Sequence, residues 1–287
     1  MRDLTGANLT NAVLAKLASA PDARFKQVMS SLIHHLHDFV REVELSGDEW
    51  FAGVQFLTAT GQKCDEKRQE FILLSDTLGV SMLVDALNHH APAGATESTV
   101  LGPFYVEGAP SLPNGVNLAD GLSGDPTLFS GRVLTVDGRP IPGAQIDVWH
   151  ADAEGFYDVQ RLNLSEMRLR GNFHTDAQGR FWFWTVRPIE YPVPTDGPVG
   201  QMLLKMGRHP YRPAHIHTMV SAVGYETLTT HVFVAGDRYL DSDAVFGVKD
   251  SLVVDFVRYE PGIAPDETKM DRPYFTVRYD FGLKAAA

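Results

Sequence analysis

Two histidines two positions apart, His215 and His217 in RPAHIHTMV, stand in a segment that reads as an extended strand. Successive side chains of a strand leave opposite faces, so both imidazoles project from one face, a workable geometry for two adjacent ligands on one metal ion. On a strand such a pair also occurs as plain hydrogen-bonded structure. Two tyrosines sharpen the pattern. Tyr157 lies in HADAEGFYD, directly after the strand ending QIDVWH, and Tyr191 lies in VRPIEYPVP. Pro192 and Pro194 remove backbone donors and hold the chain extended, which predicts a Tyr191 ring presented from a stiff loop and not packed into a ladder. Core packing or a tyrosine-corner hydrogen bond is the alternative for either ring. If a metal is bound, donor chemistry selects it. No cysteine is near the histidines, and two phenolates with two imidazoles suit a hard, highly charged ion such as Fe(III). Binding would force both phenols to give up their protons.

The elements that must carry these residues fall into two textures. In the first third, Phe25, Val28, Met29, Leu32, Leu36, Phe39 and Val40 recur at three- and four-residue spacing and so share one helical face. Ser46 followed by Glu49 fits a capping box, predicting a second helix that carries Trp50, Phe51, Val54 and Leu57 inward. A third apolar stretch, from about Phe71 to Leu87, is hydrophobic on nearly all sides. It is expected to be buried on more than one face, between two halves of the protein or against a second subunit. After Ala91 come the breakers of APAGA and then short alternating segments, the signature of a β-sandwich. These segments are 129–136, 143–149, 181–186, 214–221, 227–235, 251–258 and 274–281, with a turn over Asp176 to Gly179. The expected fold class is α+β. Residues 1–97 form a helical dimerisation and linker region, and residues 98–287 form an all-β sandwich domain carrying the metal site.

Composition excludes several functions. At 287 residues, 44% hydrophobic and 21% charged, the chain can bury a full core. A formal charge of -11, with no basic run, argues against nucleic-acid or anionic-membrane partners. Cys64 is the only cysteine, no start resembles a secretory leader, and no apolar run approaches the roughly 20 residues that span a bilayer. A reducing, cytoplasmic setting follows as the expectation. Among other histidines, His34, His35 and His37 read as helix surface, His89 and His90 as residues favoured at a helix end, and His150, His174 and His209 receive no role.

Four stretches carry a more specific signal: LGPFYVEGAP, GAQIDVWHADAEGFYD, TDAQGRFWFWTVRPIEYPVPTDGP and MGRHPYRPAHIHTMVSAVGYETLTTHVFVAGD. Together they resemble the intradiol ring-cleavage dioxygenases, over about residues 20 to 280. The resemblance implies one non-haem Fe(III) per subunit held by Tyr157, Tyr191, His215 and His217, with Tyr191 also serving as a base and Arg212 as the active-site arginine. It implies a homodimer joined through the N-terminal helices, with a phospholipid bound at the interface. A substrate ring would sit among Leu73, Asp76, Val100, Leu101, Gly102, Pro103, Phe104, Val193, Pro194 and Val245. His231, in LTTH, stands where many catechol cleavers carry glutamine, and it too is placed at the substrate site. The implied reaction is O2-dependent opening of an aromatic ring between adjacent hydroxyls, with hydroxyquinol (1,2,4-trihydroxybenzene) as substrate because Asp76 can accept from its third hydroxyl. Catechol or a chlorocatechol is the alternative substrate. A non-catalytic transthyretin-like carrier is the alternative of another class.

Overall fold

Caps and breakers delimit the helices of the computed structural model, which describes residues 3–66, 68–161 and 167–286. The helices are α1 (Leu9–Ala15), α2 (Ala23–Glu42), α3 (Gly47–Gln62), α4 (Glu70–Thr77), α5 (Val80–Asn88) and α6 (Pro198–Lys205). At the start of α2 the Asp22 carboxylate accepts the Phe25 N–H at 2.9 Å. The expected box precedes α3: Glu49 accepts the Ser46 N–H at 2.9 Å while the Ser46 hydroxyl accepts the Glu49 N–H at 3.3 Å. The chain divides into two compact units, one ending at Ala59 and the other beginning at Thr60. In the first, the Thr10 hydroxyl of α1 meets Nδ1 of His37 at 2.9 Å, so that histidine ties two helices together.

The apolar stretch from Phe71 to Leu87 differs from expectation. Gly79 adopts φ 75°, a left-handed conformation that glycine takes without steric cost, and it breaks the stretch into α4 and α5. Leu73, Asp76 and Thr77 turn inward. Phe71, Ile72, Leu78, Val80, Leu83, Val84 and Leu87 remain 43% to 67% exposed in the single chain. Two short helices meeting at a bend each press one face inward, so burial on several faces is not achieved within the chain.

The strands are β1 (Pro126–Thr135), β2 (Gln145–Trp149), β3 (Arg170–His174), β4 (Arg180–Val186), β5 (Tyr191–Pro192), β6 (Tyr211–Arg212) and β7 (His215–Ser221). They continue as β8 (Leu228–Val234), β9 (Val253–Val254), β10 (Val257–Tyr259), β11 (Gly262–Ile263), β12 (Lys269–Met270), β13 (Tyr274–Arg278) and β14 (Phe281–Leu283). One sheet runs β3-β2-β7-β8-β9; the other runs β10-β13-β1-β14, with β4 on the far edge of β1. The expected segments 251–258 and 274–281 are each split into two strands, and α6, opened by Pro198, interrupts the β half where no helix is expected. Between the sheets Phe129, Val133, Ile146, Val148, Phe173, Phe181, Phe183, Ile216, Val232 and Phe281 form one buried core. Phe173 of β3 stacks on Phe183 of β4 with centroids 4.7 Å apart, pinning sheet to sheet.

Candidate metal centre

Strand alternation builds the site. On β7, Ile216 and Val220 enter the core between the sheets, so His215 and His217 leave the opposite face. Antiparallel pairing sets His231 of β8 directly across from His217, and Trp149 of β2 across on its other side, its indole stacked on the His217 ring with centroids 4.8 Å apart. Tyr157 follows β2. Its N–H donates to Gln160 Oε1 at 2.9 Å, and the next residue, Asp158, grips Arg170 of β3 through Nε at 2.8 Å and Nη2 at 2.6 Å. Both partners are buried, so this ion pair fixes the backbone that presents the phenol. Tyr191 is not on a free loop: β5 pairs with β6, Tyr191 opposite Arg212. The prolines do not prevent this, because a two-residue ladder needs few donors.

Four polar side-chain tips converge. The hydroxyls of Tyr157 and Tyr191 are 3.2 Å apart, the Tyr191 hydroxyl is 3.5 Å from His215 Nε2, and that nitrogen is 3.1 Å from His217 Nε2. His215 Nδ1 donates to the Pro213 carbonyl at 2.7 Å, which leaves the lone pair on Nε2, facing the convergence. One ring nitrogen from each of His215, His217 and His231 lies within 4.8 Å of the others, a group that could hold a metal ion. Arg212, expected at this site, is buried; Nη1 donates towards His215 Nε2 at 3.2 Å while its other nitrogens hold Asp243.

Burial makes this cluster uncomfortable by itself. Desolvation raises Tyr157 well above the ordinary phenol range, with the Tyr191 hydroxyl adding to it. Tyr191 is also raised by burial, opposed by the nearby charge of Arg212. His215 is pushed well below the usual imidazole range by burial and then by Arg212; His217 and His231 are pushed the same way by burial and neighbouring histidines. His217 Nδ1 and His231 Nε2 have no hydrogen-bond partner among the described residues. Two phenol oxygens and two imidazole nitrogens turned on one point, with neutral forms enforced by burial, fit a hard cation that would draw off the phenolic protons.

Some of the expected pocket residues adjoin these side chains. The Phe104 ring stacks on Tyr157 with centroids 4.5 Å apart. At Gly102, φ 77°, the backbone passes so near His217 that a Cβ there would stand 3.1 Å from its Cε1. Buried Val100 follows Thr99, whose hydroxyl contacts His231 Nδ1. Val193 and Pro194 continue from Tyr191, the Val193 N–H donating to the Pro210 carbonyl at 2.8 Å. Leu73 and Asp76 are buried one turn apart on α4, and Val245 is buried beside the Arg212–Asp243 pair. Leu101 is 40% exposed and Pro103 partly so. Asp243, Asp158, Arg170 and Thr99 escape sequence reasoning. They are acidic, basic or hydroxyl residues in loops and at strand ends, where no periodicity marks them.

A family model described as "Dioxygenase" matches residues 100–285, and one described as "Catechol dioxygenase N terminus" matches residues 22–96. The chain is 56% identical over 262 residues to a 6-chlorohydroxyquinol 1,2-dioxygenase of Cupriavidus pinatubonensis, covering 91% of this chain and 95% of the relative. It is 51% identical to a hydroxyquinol 1,2-dioxygenase of a Rhizobium species, covering 94% and 92% respectively. The crystal structure of hydroxyquinol 1,2-dioxygenase from Pseudomonas putida superposes with a TM-score of 0.90 at 51% identity, over 98% of this chain and 99% of that one.

Proposed function

The chain belongs to the intradiol ring-cleavage dioxygenase family, and from that premise we propose that it opens the ring of hydroxyquinol with O2 to 3-hydroxy-cis,cis-muconate, the tautomer of maleylacetate, at an Fe(III) centre held by Tyr157, Tyr191, His215 and His217. Membership makes it an oxidoreductase of a family that uses non-haem iron, so a passive carrier is set aside. When bound, Fe(III) supplies a centre that chelates two adjacent ring oxygens and draws electron density from the ring. The side chains do the rest. Tyr191 Oη, near both the Tyr157 hydroxyl and His215 Nε2, takes up a substrate proton. Arg212, itself buried, turns Nη1 towards His215 Nε2 and so stabilises the negative charge that develops there. Phe104 and the Gly102 backbone form flat walls suited to a benzene ring.

The observation that carries the substrate is Asp76. It is 2% exposed, on α4 one turn from the buried Leu73. Burial raises its pKa, and Ser81 and Arg212 only partly oppose this. Beyond the hydrogen bond from Ser81, a carboxylate so placed gains from a further donor, and the third hydroxyl of hydroxyquinol brings one where catechol does not. The relatives at 56% and 51% identity act on substrates named for that trihydroxybenzene, which supports the same choice.

We further propose that residues 1–97 serve dimerisation and 98–287 catalysis, that the exposed apolar faces of α2, α4 and α5 meet a second subunit with a phospholipid between them, and that the enzyme works in the cytoplasm. The test of the central reading is a visible spectrum of iron-replete protein before and after anaerobic addition of hydroxyquinol, followed by admission of O2. A tyrosinate-to-iron band that shifts with the substrate and a ring-opened product are expected, and Tyr157→Phe should change the band. A colourless iron-replete protein would overturn the ligand set, and faster turnover of catechol than of hydroxyquinol would overturn the substrate.

A further inference from the structure

Arg212 is a buried cation with two buried carboxylates in its field. Nε donates to Asp243 Oδ1 at 3.0 Å and Nη2 to Asp243 Oδ2 at 3.3 Å, a two-pronged contact between side chains 3% and 2% exposed. Burial alone would depress the guanidinium, yet the charge of Asp243 first, and then Tyr191, holds it above its ordinary range. The backbone fixes Asp243 in turn, through the Val245 N–H at 3.3 Å and the Gly247 N–H at 2.9 Å. The second carboxylate, Asp76, feels the charges of both Arg212 and Asp243. One side chain clips the two carboxylate segments together: Arg208 donates through Nη1 to the Thr77 carbonyl at 2.6 Å and through Nη2 to the Ala244 carbonyl at 2.9 Å. Asp76 and Asp243 are thus the immediate chain neighbours of two carbonyls on a single guanidinium.

We propose that Asp243 is a positioning residue that keeps Arg212 turned towards the metal centre and away from Asp76, leaving the Asp76 carboxylate free for the substrate's third hydroxyl. The second half rests on the substrate reading above. A buried guanidinium pairs with the carboxylate that offers the better fork, and Asp243 presents two oxygens already oriented by backbone donors. Without that charge, Asp76, whose segment the Arg208 clip holds beside that of Asp243, is the other carboxylate whose charge interacts with Arg212. Pairing with it takes Nη1 from the metal centre and the acceptor from the substrate in one movement.

The experiment uses full-length, iron-loaded protein. In Asp243→Asn, kcat on catechol is expected to fall about 10- to 100-fold, while the charge-transfer band keeps its position because no ligand is altered. The ratio of kcat/KM for hydroxyquinol over catechol should fall as well. A merely structural role predicts no recovery on further substitution, whereas here adding Asp76→Asn to Asp243→Asn should restore kcat on catechol by about 3-fold or more, since Arg212 has lost its alternative partner. Wild-type kcat in the single variant, or a double variant no faster than the single, overturns the proposal. If Asp243→Asn does not fold, Asp243→Glu retains the charge and displaces the fork by a methylene; kcat is expected to fall about 10-fold with KM changed less, and an unchanged kcat is the overturning result. The suppression is read on catechol alone. A wild type that prefers catechol therefore removes the substrate assignment and the half of the proposal that rests on it, whereas absent suppression removes the positioning role.

Discussion

Truncating Asp76 to alanine deletes the one charged group among the pocket residues expected from the sequence. The kcat/KM for hydroxyquinol is expected to drop about 10- to 200-fold, or about 1–3 kcal/mol, with catechol turnover little harmed or improved. Equal losses on the two substrates, measured side by side, would mean that Asp76 only supports α4. A second residue gives a pH signature. His150 is buried; its Nδ1 donates to the Ala151 carbonyl at 2.8 Å and its Nε2 accepts from the Thr185 hydroxyl at 2.6 Å, and burial lowers its pKa from 6.5 to about 4. The unfolded chain therefore takes up this proton first as pH falls. Stability from this source is intact above about 6.5 and is lost between there and about 4, by up to roughly 3 kcal/mol. Chemical denaturation from pH 7.5 to 4.5 should show a shallower acid-side decline in His150→Gln, and parallel declines would rule the histidine out. His215 and His217 stood out in the sequence by a period of two and Tyr191 by its flanking prolines, but joining them with Tyr157 into one proposed donor set took the family resemblance. Arg212 came with the same resemblance, but its partner Asp243 lies 31 positions away in a loop, where only the folded backbone brings the two together.

Elements decide how tightly the centre is held. Gly102 combines a positive φ with a backbone approach to His217, so alanine there meets both a left-handed penalty and a close contact with a ligand ring. Gly102→Ala is expected to cost about 1–3 kcal/mol and to lower iron retention, read as melting temperature and iron per subunit. Full iron content at wild-type stability would show that the segment yields. The strands β1, β2, β7 and β8 were readable from alternation, β4 from an aromatic run after a turn, and the capping box from Ser46 and Glu49. The break at Gly79 was not, since an apolar stretch with one internal glycine reads as one helix until the backbone conformation is known. Nor was the ladder of β5 with β6, two residues long and made by a segment rich in proline. The same limit hid α6: eight residues are too few for periodicity to stand out from a sandwich's connecting loops.

At the scale of the molecule, α2 has no buried residue and presents Phe25, Leu32, Leu36 and Phe39 at its surface. Apolar exposure of that extent on a helix usually meets a partner. Leu32→Glu with Leu36→Glu is expected to convert a dimer to monomers in sedimentation, and an unchanged mass would place the interface elsewhere. The two sheets differ in how they are closed. The sheet bearing the histidines joins β2, β3, β7 and β8 through antiparallel neighbours. In the other, β1 lies parallel to β13 over Thr127–Ser130 and to β14 over Val133–Thr135, and its Arg132 N–H reaches Asp280 across 148 residues. Parallel neighbours cannot be made by a hairpin, and contacts between such distant residues form late and slowly. During synthesis the ribosome therefore delivers the metal-bearing strands first, while one edge of β1 stays open until the strands from Tyr274 onward emerge. For that interval the nascent chain carries an unfinished sheet edge that chaperones, or the wrong neighbour, can occupy.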